Sequence, residues 1–183
     1  MPDKKQNPKT AYKGRRKLRD MLTASDWAVY EPPNKDELQV ARIYVNFGIE
    51  CGVNLGGELI RLKNQRHLPV VAGDLVYTDG ETVLGVQPRG KVLARFADEG
   101  GVRLIASHLD QVGLVCSASL PPNHEGFIDR YLVYCRIVEL PLFIVLNKID
   151  EMDEEQVTKV LPFEDAGVDI YPTSATTGKG MKE

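Results

Sequence analysis

The spacing of apolar and polar residues changes twice along this chain. Over about the first 20 residues apolar positions are scarce: the stretch NPKTAYKGRRKLRD offers only Ala11, Tyr12 and Leu18, too few to bury. From Leu38 to about residue 100 the pattern is short and extended. LQVARIYVNFG, IECGV, ELIRL, DLVYTDGETVLGV and KVLARF supply runs of about four to eight residues in partial alternation, several separated by Gly or Asp-Gly. Asp79-Gly80 predicts a two-residue hairpin turn, because glycine supplies the positive φ such a turn requires. Five or so short strands fit a small Greek-key barrel; an OB-fold leads, and an SH3-like barrel would produce nearly the same string.

From about Ile105 the period changes again. QVGLVCSA reads as an apolar strand, and NHEGFIDRYLVYCRIVEL as a helix with Asn123 as its N-cap and Phe127, Ile128, Tyr131, Cys135 and Val138 at helical spacing. Pro141 is expected to close that helix, and LFIVLN begins a second continuous apolar strand. Strand, helix, strand with uniformly apolar strands predicts a parallel α/β sheet covered on both faces. Pro162 should shorten or kink the following helix, EEQVTKVLPFEDAG, and VDIYPTSA supplies a third strand.

Composition narrows the class. A chain of 183 residues that is 43% apolar can hold one large domain or two small ones. No stretch approaches a membrane-spanning run and no apolar segment follows the charged start, so the expectation is a cytoplasmic protein without a membrane partner. Cys51, Cys116 and Cys135 lack metal-site spacing, and no disulfide framework or metal site is expected. Charge is unevenly distributed. Residues 1–19 carry eight cations and one anion, a local +7 in a chain of net charge −3, which leaves −10 for the remainder. Such a tail is expected to be disordered when free and to lie on a polyanion through residues such as Arg15, Arg16, Lys17 and Arg19; a solvated terminus without a partner is the alternative. Between the predicted strands lie Arg42, Arg61, Lys63, Arg66 and His67, with Tyr44 and Phe47 nearby, a mixture that can meet RNA backbone and bases on one face. Ordinary exposed positions on a barrel remain the alternative.

The sharpest chemistry lies at two strand ends. Ligands of parallel sheets bind beyond the carboxyl ends of the strands, where Asn147 to Asp150 and Ser174 to Gly178 fall. A carboxylate at Asp150 can accept hydrogen bonds from the ring N–H and exocyclic amino group of guanine. Adenine lacks that donor pair and would leave the carboxylate unsatisfied, so discrimination is steep. Asn147 can bridge the base N7 and the neighbouring loop, while the stem of Lys148 lies across the purine face. TSATTGKG would offer the Ala175 N–H to the guanine carbonyl oxygen, with Ser174 bracing its loop. The phosphate cradle G-x-x-x-x-G-K-[ST] occurs nowhere in the 183 residues.

A basic tail, a barrel-like string, then HLDQVGLVCSASLPP, FIDRYLVYC, PLFIVLNKID and TSATTGKG in succession resembles the circularly permuted GTPases called ribosome small-subunit-dependent GTPase A (RsgA, or YjeQ). The resemblance runs from about Leu38 to the last residue and is most specific over 105–180. It implies a multi-domain β plus α/β protein: a tail and linker over 1–37, an OB-fold RNA-binding barrel over 38–100, and an incomplete circularly permuted P-loop GTPase domain over 101–183. In that family the guanine motifs precede the phosphate loop, so its absence upstream is expected. The resemblance implies a monomeric GTP hydrolase that acts late in small-subunit maturation and binds ribosomal RNA, GTP or GDP, and Mg²⁺. Asn147, Lys148, Ile149, Asp150, Ser174 and Ala175 would be its guanine readers. Arg15, Arg16, Lys17, Arg19, Arg42, Lys63 and Arg66 are the RNA-binding candidates. Catalytic residues are expected beyond Glu183, as is a zinc-binding C-terminal domain, so this chain alone is expected not to hydrolyse GTP. Thr176 replaces the lysine often found after the Ser-Ala pair. A stand-alone RNA-binding module without catalysis is the alternative.

Overall fold

The computed structural model describes residues 30–65, 68–96, 102–117, 126–152 and 162–181. They belong to two compact units that divide between Leu109 and Asp110.

In the first unit, strands β1 (Gln39–Asn46), β2 (Glu50–Leu55), β3 (Glu58–Lys63), β4 (Leu75–Thr78) and β5 (Val83–Val86) form one antiparallel sheet in the order β3-β2-β1-β4-β5. Alternate residues of a strand face opposite sides, and here one side supplies the core: Ala41, Ile43, Cys51, Val53, Leu62, Val76, Val83 and Val86 are buried together. The edges of this sheet meet at one parallel bridge, Lys63 with Thr82, where the Lys63 N–H donates to the Glu81 carbonyl at 2.8 Å. Among the described residues the ladder does not run continuously around a closed barrel.

The β4–β5 hairpin differs in detail from its two-residue expectation. Thr78 pairs with Val83, leaving the four-residue loop 79–82. Gly80 adopts φ 98°. Asp79 Oδ1 accepts from the N–H groups of Glu81 and Thr82 at 3.0 and 2.8 Å, and these bonds hold its carboxyl below the usual range. The aspartate closes the loop by bonding the backbone beyond it, so two additional residues fit before the ladder begins.

Strands β6 (Leu93–Phe96) and β7 (Val102–Ala106) form a separate antiparallel pair. Sequence periodicity did not mark β7, whose five residues gain their extended form from pairing with β6. A buried ion pair anchors the base of this hairpin. Asp74 Oδ2 accepts from Arg89 Nη2 at 2.6 Å, and Oδ1 accepts from Arg89 Nε at 2.7 Å and from Ser107 Oγ at 2.6 Å. The Val71 N–H also donates to Asp74, and Arg89 donates to the Pro69 carbonyl. The buried carboxylate is therefore fully satisfied, the condition under which a buried ion pair is tolerated.

In the second unit, β8 (Val112–Ser117), β9 (Leu142–Asn147) and β10 (Asp169–Pro172) form a parallel sheet in the order β10-β9-β8. Helix α1 (Phe127–Ile137) connects β8 to β9 and buries Tyr134 and Cys135. Gly126, at φ 68°, occupies the N-cap position, and Asn123, the residue expected there, lies outside the described residues. The helix closes before Pro141. Glu139 turns left-handed at φ 57°, and the Leu140 N–H reaches back to the Cys135 carbonyl at 2.8 Å. This is the six-to-one bond of a Schellman stop, with buried Leu140 as its apolar contact. Residues 162–165 are helical, with Pro162 among them; the preceding part of the predicted helix lies outside the described residues. No described helix is long and apolar enough to cross a membrane.

All three cysteines are free and buried, and burial raises each thiol pKa, that of Cys135 to about 11. They behave as small core hydrophobes rather than nucleophiles.

Candidate functional site

Parallel pairing brings the carboxyl ends of the second unit's strands to one rim. Leu146 pairs with Pro172 and Asn147 with Ser117, so both motif-bearing strands finish level. Beyond them the chain turns sharply at each end.

After β9, Lys148 takes a left-handed conformation at φ 66° and leads into a 3-10 turn over Ile149–Glu151. A non-glycine residue in this region carries a backbone cost. Here its effect is to turn the chain at once, so that Asn147 stays in the ladder while Asp150 sits one turn away. Asp150 is exposed. The carboxylate is therefore solvated, and only a bound base would desolvate it. The penalty for a wrong base arises on binding rather than from a group already buried.

After β10 the loop is built around Ser174, which is fully buried. Its N–H donates to the Lys179 carbonyl at 2.9 Å, its carbonyl accepts from the Gly178 N–H at 2.8 Å, and its Oγ accepts from the Thr177 N–H at 3.1 Å. Three bonds close a tight loop over 174–179. Gly180, at φ 70°, lies so close to Pro172 that a Cβ would collide with the Pro172 carbonyl oxygen. Only glycine combines that φ with that contact.

The two turns are joined. Thr173 donates its N–H to the Leu146 carbonyl at 2.8 Å and accepts at its own carbonyl from the Ile149 N–H at 3.2 Å. The Ala175 N–H donates to Asn147 Oδ1 at 3.1 Å. The Asn147 amide thus spends its oxygen on the neighbouring loop and retains an NH₂ for an acceptor such as a purine N7. In this state the Ala175 N–H, the expected donor to a guanine carbonyl oxygen, points at Asn147 instead. A base would share or redirect that bond.

Thr173 and Gly180 were not singled out from the sequence, yet they hold the rim together. The signal for Gly180 was present in the doublet of glycines in T-G-K-G; Thr173 carried none, because its role lies in its backbone. Among the RNA-binding candidates, Arg42 and Lys63 are exposed on β1 and β3, where Arg42 pairs with Asn54 and Lys63 with Glu50. Arg61 lies over the Phe47 ring at 5.1 Å and pairs with Glu50 at 3.5 Å. Arg15, Arg16, Lys17, Arg19, Arg66 and His67 lie outside the described residues.

Comparison with known proteins places these features in a family. Residues 86–183, more than half of the chain, match the family model of the RsgA GTPase. The small ribosomal subunit biogenesis GTPase RsgA of Actinobacillus pleuropneumoniae is 36% identical over 141 residues, covering 69% of this chain and 41% of the relative. The protein of the same name from Actinobacillus succinogenes is 34% identical over 163 residues, covering 81% of this chain and 46% of the relative. The crystal structure of YjeQ from Thermotoga maritima superposes with a TM-score of 0.58 at 26% identity, over 79% of this chain and 55% of that one. YloQ, described as a circularly permuted GTPase, shares the fold with a TM-score of 0.50 at 19% identity, over 80% of this chain and 55% of that one. The chain spans less than half the length of these curated relatives.

Proposed function

The chain belongs to the RsgA GTPase family, and from that membership together with the geometry of its strand ends we propose that its second unit reads guanine for a GTP hydrolase of small-ribosomal-subunit biogenesis. The observation that carries this reading is the Ala175 N–H bond to Asn147 Oδ1 at 3.1 Å, which makes one rim of two motifs 28 residues apart. In the proposed complex Asp150 accepts from the two donors on the guanine edge, the Asn147 NH₂ donates to N7, and the Lys148 stem covers one face of the ring. Ile149 sets the spacing between lysine and aspartate, while Ser174 holds Ala175 in place. Mg²⁺ would be held with the nucleotide's phosphates at a phosphate cradle, and no residue here is proposed as its ligand. Phosphate binding and hydrolysis belong to a phosphate cradle, a motif these 183 residues lack. Any Zn²⁺ would likewise belong to a further domain.

The first unit is proposed to be an OB-fold that binds ribosomal RNA. Its strand order and the parallel bridge from Lys63 to Thr82 support that topology. Arg42, Lys63 and Arg66, with the basic tail, are its proposed phosphate contacts. The proposed setting is the bacterial cytoplasm, with the chain monomeric.

Titration of the isotopically labelled chain with GDP and with ADP tests the guanine reading. GDP is expected to shift the amide resonances of Asn147, Asp150 and Ala175, ADP to leave them in place, and Asp150→Asn to abolish the difference. Equal shifts with both nucleotides, or none with GDP, would refute it.

A further inference from the structure

The β6–β7 hairpin carries an arrangement that the fold does not need. Arg95 and Arg103 are directly opposite each other in the antiparallel register, and both are exposed. Directly opposed residues of such a pair have Cβ atoms about 5 Å apart, and like charges there are destabilising. Among the described residues no carboxylate pairs with either guanidinium. Asp98 and Glu99, in the loop that joins the two strands, lie outside the described residues. The inward neighbours, buried Ala94 opposite Leu104, fix which way the arginines face.

The hairpin is also held rigidly at its base. Ala106 bridges to Ala72, the Ser107 N–H donates to the Ala72 carbonyl at 2.9 Å, and Ser107 Oγ is bound to the buried Asp74. On the far strand the Leu109 N–H reaches the Lys91 carbonyl at 3.1 Å. Two guanidinium groups are therefore presented together on a common support, with no carboxylate partner among the described residues.

We propose that Arg95 and Arg103 form a two-armed clamp for the phosphodiester backbone of RNA, a contact surface separate from Arg42 and Lys63. A guanidinium binds phosphate through two parallel hydrogen bonds, and a phosphate seated between the pair cancels the repulsion that the free hairpin carries. An RNA backbone fits better than an acidic peptide because its anions are regularly spaced along one chain. The proposal rests on the reading of the first unit as RNA-binding, so its test separates the two.

Fluorescence anisotropy with a labelled duplex RNA, over a series of salt concentrations, compares the whole chain with Arg95→Gln/Arg103→Gln and with Arg42→Gln/Lys63→Gln. The hairpin variant is expected to bind several-fold more weakly and to flatten the log-log salt slope by about 0.9, the loss of the one phosphate seated between the pair. Arg95→Lys/Arg103→Lys should retain most of the slope. Thermal melts at low salt should show the Gln variant as stable as the parent chain or more so, because a repulsion is removed. A loss only in Arg42→Gln/Lys63→Gln overturns the clamp and leaves the wider RNA reading standing, whereas a loss only in the hairpin variant supports the clamp and counts against the β1–β3 face. No binding of RNA by the parent chain overturns both. An earlier melt of the Gln variant, or displacement of RNA by poly-glutamate at equal charge concentration, also overturns the clamp.

Discussion

Gly180 shows how much of the proposed base-reading rim depends on a residue with no side chain. At φ 70° and packed on the Pro172 carbonyl, it lets the chain fold back beneath Ser174. Alanine there meets both a left-handed backbone cost of about 1–2 kcal/mol and a collision with main chain. Gly180→Ala is therefore expected to destabilise the second unit by about 2–3 kcal/mol in urea unfolding and to weaken any GDP response. Lys179→Ala, which removes only an exposed side chain, should change stability by less than about 0.5 kcal/mol. A Gly180→Ala protein as stable as the parent would show that the loop does not need this close approach. At this scale the sequence was partly legible. Asn147, Lys148, Asp150 and Ser174 stood out because their chemistry is in their side chains, and Ala175, which offers a backbone N–H, stood out only through the motif that contains it. Thr173 did not, since what it contributes is a peptide N–H and carbonyl placed between two turns.

At the scale of elements, alternation and apolar runs identified most strands, because a strand half-buried in a sheet must alternate and a strand buried on both faces need not. The errors occur where a partner decides the outcome. Strand β7 exists because β6 pairs with it, the 79–82 loop is longer because Asp79 bonds backbone beyond the turn, and α1 stops at Ile137, two residues before the left-handed Glu139, because Leu140 has a core position to enter. The Asp74–Arg89 ion pair is a further example: its members are 15 residues apart, and nothing in either local sequence marks them as buried. Arg89→Met would leave a buried carboxylate without its cation, and should cost about 3–5 kcal/mol. Chemical denaturation followed by signals from the first unit checks this; a loss below about 1 kcal/mol would mean that Ser107 and the Val71 N–H satisfy Asp74 unaided.

At the scale of the whole molecule, charge distribution dominates. Eight of the 23 lysine and arginine residues lie in the first 19 positions. Removing residues 1–19 is expected to reduce RNA affinity more than either Arg-pair variant and to flatten the salt slope by more than about 2, since each lost phosphate contact contributes about 0.9. Anisotropy under the same conditions measures it, and an unchanged slope would mean that the tail makes no phosphate contact.

The sequence by itself determined the order of the parts: a basic tail, a set of short alternating strands, and a run of continuous apolar strands ending in the two motifs proposed to read a base. It could do so because hydrophobic period, charge density and side-chain donor patterns are local properties of a chain. Only the tertiary structure decided that the two motifs finish level and share a hydrogen bond, that Asp150 is exposed to solvent, and that two arginines eight residues apart in number lie opposite each other across a hairpin. Those facts depend on register and on backbone groups meeting across strands, and register is set by all the pairings of a sheet together.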